Sequence, residues 1–376
     1  MTYIFVTLPL MEAKKVTQNC QIGVDISSSK INMLEKKRNE CLQIFNNMNK
    51  KTEDSLIFES TFTLKMVEYA DSYVANLVNI VKLFPSFAVK KYYTWSSPLG
   101  ENQCIPYDDY RYELIAIYYN IAAHFVNVAH HFLCVKSKVG NISSLEKNSY
   151  HVLLKAAGYF SLVKNVVDNI KFQPIGVAEM PFKPDDVIAL FSFLETLSLA
   201  QAQEIGTTRS NNVGPKQTSD LTTKLCHQLF LFYKECNEIS NSVKSCSKNF
   251  SNMSALCQLK SDVFLSLMYN YAASWAFTSS PSNALHFMNR ANIEVAKIQK
   301  HAKVNKKLRS IYSCEKILEN CYSTIKRNDE RLRKINSLVH RVKMTEGEIQ
   351  PPIPQVLAVK EKIELPIELP TPASIQ

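Results

Sequence analysis

Apolar residues along this chain recur mostly three and four positions apart, the period of a helix with one face turned to a core. From Ser28, SSSKINMLEKKRNECLQIF sets Ile31, Leu34, Cys41, Ile44 and Phe45 on one side. A second helix is predicted from about Leu56 to Val81, with Phe62, Met66, Tyr69, Tyr73 and Leu77 in register and Pro85 as its stop. KKYYTWSSPLG (Lys90 to Gly100) breaks the period and reads as a strand or an extended connection. Tyr107 to Val135 is apolar over most of its circumference, which predicts a helix buried on several sides. Ser143 to Glu146 fits a capping box with Ser143 as N-cap, opening a helix through KAAGYFSLVKNVV in which Ala156, Ala157 and Gly158 permit close contact. Lys183-Pro184-Asp185 marks the next start, with a helix from about Asp185 to Ile205.

Leu199 to Val243 is the stretch around which the rest is organised: the end of one helix, a polar turn with Gly214 and Pro215, then a second long helix. On a wheel, Leu221, Phe232, Leu225, Val243, Cys236, Leu229, Tyr233, Cys226 and Phe230 fill an arc of about 180°. A helix lying on one core needs a stripe of only roughly 100°. Either neighbours enclose this helix, or one edge of its stripe is kept for a partner.

Two further helices, roughly Met253 to Phe277 and Ser282 to His301, are broken by SSPS and resemble a tetratricopeptide hairpin without that repeat's usual signature residues. A long basic helix is predicted from about Lys306 to Val342. Beyond Gly347 the prolines exclude a helix, yet Val356, Leu357, Ile363, Leu365, Ile367 and Leu369 are too apolar for a free linker. Ile349 to Leu369 is therefore expected to lie as an extended strap on the helical body, with the final residues disordered. Only eight glycines occur, so tight reversals are few. The pattern predicts an all-α fold, an elongated, curved α-solenoid over residues 1–348 with a proline-containing tail over 349–376.

Composition narrows the function. The net charge of +10 admits nucleic acid, an anionic membrane surface or an acidic partner. With no aromatic-rich RNA-binding motif and no zinc-finger spacing, nucleic acid is set aside. The basic runs are Lys303 to Arg309 and Lys326 to Lys334. Ten cysteines include no CxxC pair, and several fall on apolar helix faces, as reduced thiols do. MTYIFVTLPLMEAKK lacks the basic start and cleavage site of a signal peptide, and no run of 18 apolar residues occurs. A reduced, cytoplasmic protein is expected.

Catalytic chemistry has little to stand on. His124, His130 and His131 share a helix, but no HExxH or carboxylate spacing accompanies them, so no metal is expected. Cys226 and His227 are about 100° apart on a helix, and adjacency in sequence makes no nucleophile–base pair. There is no P-loop, GxGxxG or GxSxG. No cofactor and no enzymatic activity are expected.

At YTWSSPLG, ELIAIYYNIAAHF, AAGYF and LAQAQE the chain resembles the Bro domain of endosomal sorting (ESCRT) proteins, the boomerang-shaped helical domain shared by Alix, the yeast Bro protein and the His-domain phosphatase. The motifs occur in the family's order, and the stand-alone Brox type is the nearest in layout. The resemblance implies a non-enzymatic adaptor whose concave, apolar groove binds the C-terminal amphipathic helix of charged multivesicular body proteins. It puts the family's two groove aliphatics on Leu221 and Leu225 and its flanking basic positions on Arg209 and Lys147. Such helix-in-groove recognition uses aliphatic anchors for affinity and rim charges for register. Ser143 stands where some relatives carry an acid, and Gly206 near where they carry an aromatic. No tyrosine occurs around Arg331 to Asn336, and the chain ends PTPASIQ, without a prenylation box. The alternative is a helical scaffold binding acidic membranes weakly through basic surface, its groove lost.

Overall fold

The structure is a computed structural model. It describes residues 6–13, 17–18, 28–51, 60–84, 91–96, 104–107, 109–135, 142–168, 184–211, 218–243, 248–304, 312, 314–347 and 349–370. Among these, α1 spans Ser28–Lys51, α2 Ser60–Leu83, α3 Tyr110–Val135, α4 Ile142–Asp168, α5 Pro184–Asn211, α6 Thr218–Ser242, α7 Lys248–Ala276, α8 Pro281–Val304 and α9 Glu315–Ile335. From α3 to α8 each helix packs on the next, and α9 returns against α7 and α8. This is the predicted α-solenoid, with one addition.

The addition is a small antiparallel sheet in the order β1 (Thr17–Gln18), β2 (Lys91–Ser96), β3 (Cys104–Tyr107). Tyr107 pairs with Tyr93, so it ends a strand and does not open α3, as the hydrophobic pattern had suggested. Pro106 lacks an N–H for the ladder and sits on the outer strand, where that matters least. Trp95 turns inward from β2 and donates its indole N–H to Glu113 at 2.6 Å. Arg38 from α1 (2.6 Å) and the Tyr73 hydroxyl from α2 (3.1 Å) meet the same carboxylate. Glu113 is fully buried, and a buried carboxylate is tolerable only when paired and hydrogen-bonded in this way. Burial beside that charge pushes the Tyr73 phenol well above its usual range, so it stays a donor.

The helix read as apolar all round is enclosed as expected: nearly every residue from Glu113 to Val126 is buried. Tyr118 and Phe125 stack on Tyr159 of α4 at 5.9 and 5.8 Å, while Tyr119 meets Phe160 of α4 and Phe191 of α5. On α3, Asn120 holds the extended N-terminal segment, accepting from the Met11 N–H at 2.7 Å and donating to the Met11 carbonyl at 3.0 Å. Asn127, two turns on, does the same for Leu8.

Other boundaries move for local reasons. α4 begins at Ile142, so Ser143 lies inside its first turn and is not the N-cap; Arg209 takes its carbonyl and hydroxyl instead. α5 runs on to Asn211, beyond the predicted end near Ile205. The last helix closes earlier than Val342: α9 gives way at Asn336–His340 to a π-turn. The start of the predicted helix at Leu56, the Pro85 stop, the turn at Gly214-Pro215 and most of the Lys303–Arg309 run lie outside the described residues.

After the π-turn the chain crosses the helical body as an extended strap. His227 on α6 donates through Nδ1 to the Pro352 carbonyl (2.8 Å), and the Gln355 N–H reaches the Lys224 carbonyl (3.1 Å). Over α5 and α4 the strap is held by Gln203 and Tyr150, and its own Ala358 is buried against the helices.

Candidate functional site

The predicted site residues sit at one end of the α4–α5–α6 layer. Arg209, in the last turn of α5, donates to the Ser143 carbonyl at 2.9 Å and to its hydroxyl at 3.3 Å. Lys147 lies one turn further along α4 and is exposed. The structure thus brings Arg209 onto Ser143, one turn before Lys147, and Ser143 links α4 to α5 through hydrogen bonds where an acid would have made an ion pair. Leu221, in the first turns of α6, is half-buried.

Leu225 is different. It has no exposed surface, so the partly exposed two-leucine strip inferred from the sequence is not what this state presents. Leu225 lies at the inner edge of the α6 stripe with Leu229 and Cys236, both also buried, and Leu221 at the outer edge. The neighbouring residue, Lys224, is where the strap crosses.

Two residues that pattern reading missed, Gln203 and Tyr150, organise this face together with Leu357 of the strap. Gln203 stands at the crossing of α5 and strap: its Oε1 accepts from the Leu357 and Ala358 N–H groups at 2.8 and 3.0 Å, and its Nε2 donates to the Gln355 carbonyl at 3.0 Å. Tyr150 donates to the Leu357 carbonyl at 2.8 Å. Leu357 then lays its side chain over Gly206, with Cδ1 3.1 Å from where a Cβ would stand. The chain's own leucine thus fills the place beside Gly206, near where the resemblance puts an aromatic groove residue.

On α4, Gly158 has a related role. In a helix, the side chain at position i+4 flanks the carbonyl of residue i. Without one, the Leu154 carbonyl stays open to the Glu361 N–H at 3.2 Å. A Cβ at 158 would overlap the Glu361 carbonyl and lie 2.7 Å from Ile363. Lys360 completes the crossing by bonding Ser161 and Glu195, the latter also paired with Lys164.

Beneath the face is a buried charge cluster. Glu204 Oε2 accepts from Lys260 of α7 and from the Tyr233 hydroxyl of α6, both at 2.7 Å, and the Lys260 ammonium lies 5.1 Å from the Tyr233 ring centre. This fixes α5, α6 and α7 together directly under the strap.

Of the histidines weighed for catalysis, His130 has its Nε2 3.4 Å from Cys134 Sγ near the end of α3. His124 is buried, and burial pulls its pKa down to about 4, leaving it neutral. Cys226 is buried too, its thiol pushed well up, while the His227 ring is engaged by the strap. Among the described residues no group of three His, Cys, Asp or Glu side chains could hold a metal ion. No described helix is long and apolar enough to cross a membrane.

The sequence profile of the BRO1-like domain matches residues 21–373, almost the entire chain. The chain belongs to the BRO1-like domain family. No curated protein matches it. Among solved structures it is similar to the ALIX BRO1–CHMP4C complex (14% identity, TM-score 0.62, covering 97% of both chains). It is also similar to the structure titled "Structure basis for endosomal targeting by the Bro1 domain" (17%, TM-score 0.63, 99% of this chain and 94% of that one). ALIX in complex with the SIVmac239 PYKEVTEDL late domain matches over 97% of this chain and 50% of its own, at 14% identity and TM-score 0.62. At such identities the likeness is one of fold. The motif residues now have physical explanations: Trp95 donates to Glu113 beside the buried Arg38–Glu113 ion pair, Tyr159 stacks on Tyr118 and Phe160 meets Tyr119 of α3, Gly158 admits the strap, and Gln203 and Glu204 bind the strap and the charge cluster. They are motifs of architecture.

Proposed function

We propose that this BRO1-like chain is a non-catalytic adaptor of the endosomal sorting pathway that binds the C-terminal amphipathic helix of a charged multivesicular body protein. One of its structural neighbours is a BRO1 domain in complex with CHMP4C. The observation on which the reading rests is the edge of α6: Leu221 is only half-buried, and it lies at the same end of the layer as Arg209 and Lys147. That supplies an aliphatic contact with cations beside it, the arrangement an amphipathic helix with acidic flanks requires. Leu225 acts as the support behind Leu221, and Arg209 and Lys147 set register and encounter rate.

Titration calorimetry of the full chain against a panel of such tail-helix peptides tests this. Burying one leucine contributes roughly 1.5–3 kcal/mol, so Leu221→Asp should weaken binding by roughly ten- to a hundredfold, while lowering the melting temperature far less than Leu225→Asp does. Arg209→Ala and Lys147→Ala should have smaller effects that shrink with salt. The reading fails if no peptide in the panel binds, or if Leu221→Asp binds as tightly as the parent.

A further inference from the structure

A second surface lies at the far end of α9, well away in sequence from the α4–α6 face. There Asn336–His340 forms a π-turn closed by Arg341 in the left-handed conformation (φ 55°), whose N–H bonds the Asn336 carbonyl at 2.6 Å. The Asn336 side chain locks the turn from both sides, donating to the Val342 carbonyl (3.0 Å) and accepting from the Val342 N–H (3.2 Å). Beyond it the chain is pinned to the start of α8. Ser282 donates to the Lys343 carbonyl at 2.6 Å, and Thr345 donates to Asn283 at 2.8 Å. On the inner side His340 meets Phe277 edge-on at 5.2 Å.

This fixed turn holds apolar side chains in water. Leu338 is 64% exposed, Val339 68%, Met344 44% and Val342 37%. Single exposed aliphatics need no explanation, but four within seven residues, on a backbone locked by side-chain hydrogen bonds, form a built feature. Trp275, two residues before Phe277, is 43% exposed, whereas Trp95, the other tryptophan, is buried. Around the aliphatics stand Arg331, Lys334, Arg341 and Lys343, all exposed, with Arg333 beside them paired to Asp329 at 2.7 Å; no acidic residue occurs from Arg331 to Thr345.

Shape and charge together select the occupant. Residues 337–344 are all exposed, so the feature is a protrusion; a helical peptide needs a groove. A second copy would bring four such cations against four. A planar surface with negative headgroups over an apolar interior satisfies both terms: aliphatics enter at the acyl boundary, cations stay at the phosphates, and an aromatic such as Trp275 sits at the interface. We infer that the α9 turn, with Leu338, Val339, Val342 and Met344 ringed by Arg341, Lys343, Lys334 and Arg331, docks the protein on anionic membrane surfaces. This goes beyond the peptide-binding reading and does not depend on it.

The test uses the full chain and two sets of vesicles, pure phosphatidylcholine and phosphatidylcholine with about a third phosphatidylserine. Flotation should show binding to the second only, with a blue shift in tryptophan emission from Trp275 that Trp275→Phe removes. Leu338→Ser/Val339→Ser should lower the partition coefficient roughly tenfold or more at an unchanged melting temperature. Lys334→Glu/Lys343→Glu should lower it comparably and flatten its dependence on salt. Leu221→Asp should leave it unchanged, which separates this surface from the peptide site. Equal binding to both vesicles, unaltered binding by the serine double variant, or a serine variant that changes only the oligomeric mass would each overturn the assignment.

Discussion

Leu357 of the strap occupies the space above Gly206 of α5, its Cδ1 3.1 Å from the position a Cβ would take. The two positions are therefore coupled: whatever side chain stands at 206 competes with the strap for one volume. Gly206→Phe should displace Leu357 and loosen the crossing, at a cost of about 1–3 kcal/mol. Hydrogen exchange at the Leu357 and Ala358 amides should accelerate, and Leu357→Gly in the same chain should recover much of the lost stability. Additive effects of the two substitutions would show that they do not share the space.

The two leucines of α6 should separate cleanly. Leu225→Ala removes a fully buried side chain and should cost about 2–5 kcal/mol in denaturant unfolding. Leu221→Ala, at a half-exposed position, should cost less than about half of that. Equal losses would place both in the core and remove Leu221 as a contact for a partner.

The Glu204–Lys260 pair offers an asymmetric test. Lys260→Met leaves the buried Glu204 carboxylate with the Tyr233 hydroxyl as its remaining donor in the cluster, and should destabilise by about 3–5 kcal/mol. Glu204→Gln combined with Lys260→Met removes both charges and should restore a good part of that loss. A double variant as unstable as the single one would mean that packing, not charge, sets the cost.

His124 predicts a pH dependence. Its folded pKa, held down to about 4 by burial, lies below the ordinary 6.5. Between those values the unfolded chain binds a proton that the folded chain refuses, so stability falls as pH drops from 6.5 toward 4 and levels off below. The full difference is about 3 kcal/mol. Melting temperatures across this window should fall, and His124→Phe should flatten the slope; an unaltered slope would assign it to other groups.

The helical body was legible because the period of three and four survives in every long segment, and because a helix apolar all round has to be enclosed, as α3 is. Boundaries were less so. Tyr107 continues the apolar pattern of α3, and only strand pairing with Tyr93, a contact between separate segments, reveals that it belongs to β3. Ser143 has the chemistry of a cap, but Arg209 from another helix claims its oxygens. The broad stripe of α6 admitted two explanations, and burial shows that enclosure accounts for Leu225 while Leu221 remains at the edge. Gln203, Asn120 and Glu113 were missed, although a signal existed. A polar residue inside an apolar helix must find partners, and these three find them in strap, N-terminal segment and sheet. The partners themselves lie far off in sequence, which is why no local pattern names them.

Both extended segments lean on helices from the middle of the chain: Met11 on Asn120, 109 residues away, and Leu357 on Gln203 and Tyr150, 154 and 207 residues away. Synthesis proceeds from the N-terminus, so α4, α5 and α6 leave the ribosome long before the strap that crosses them. During that interval the Gln203 amide, the open Leu154 carbonyl at Gly158 and the shelf at Gly206 face water or whatever binds them first. Ribosomes stalled before Pro352 should therefore display α4, α5 and α6 without the strap that covers them, open to chaperones and partners alike.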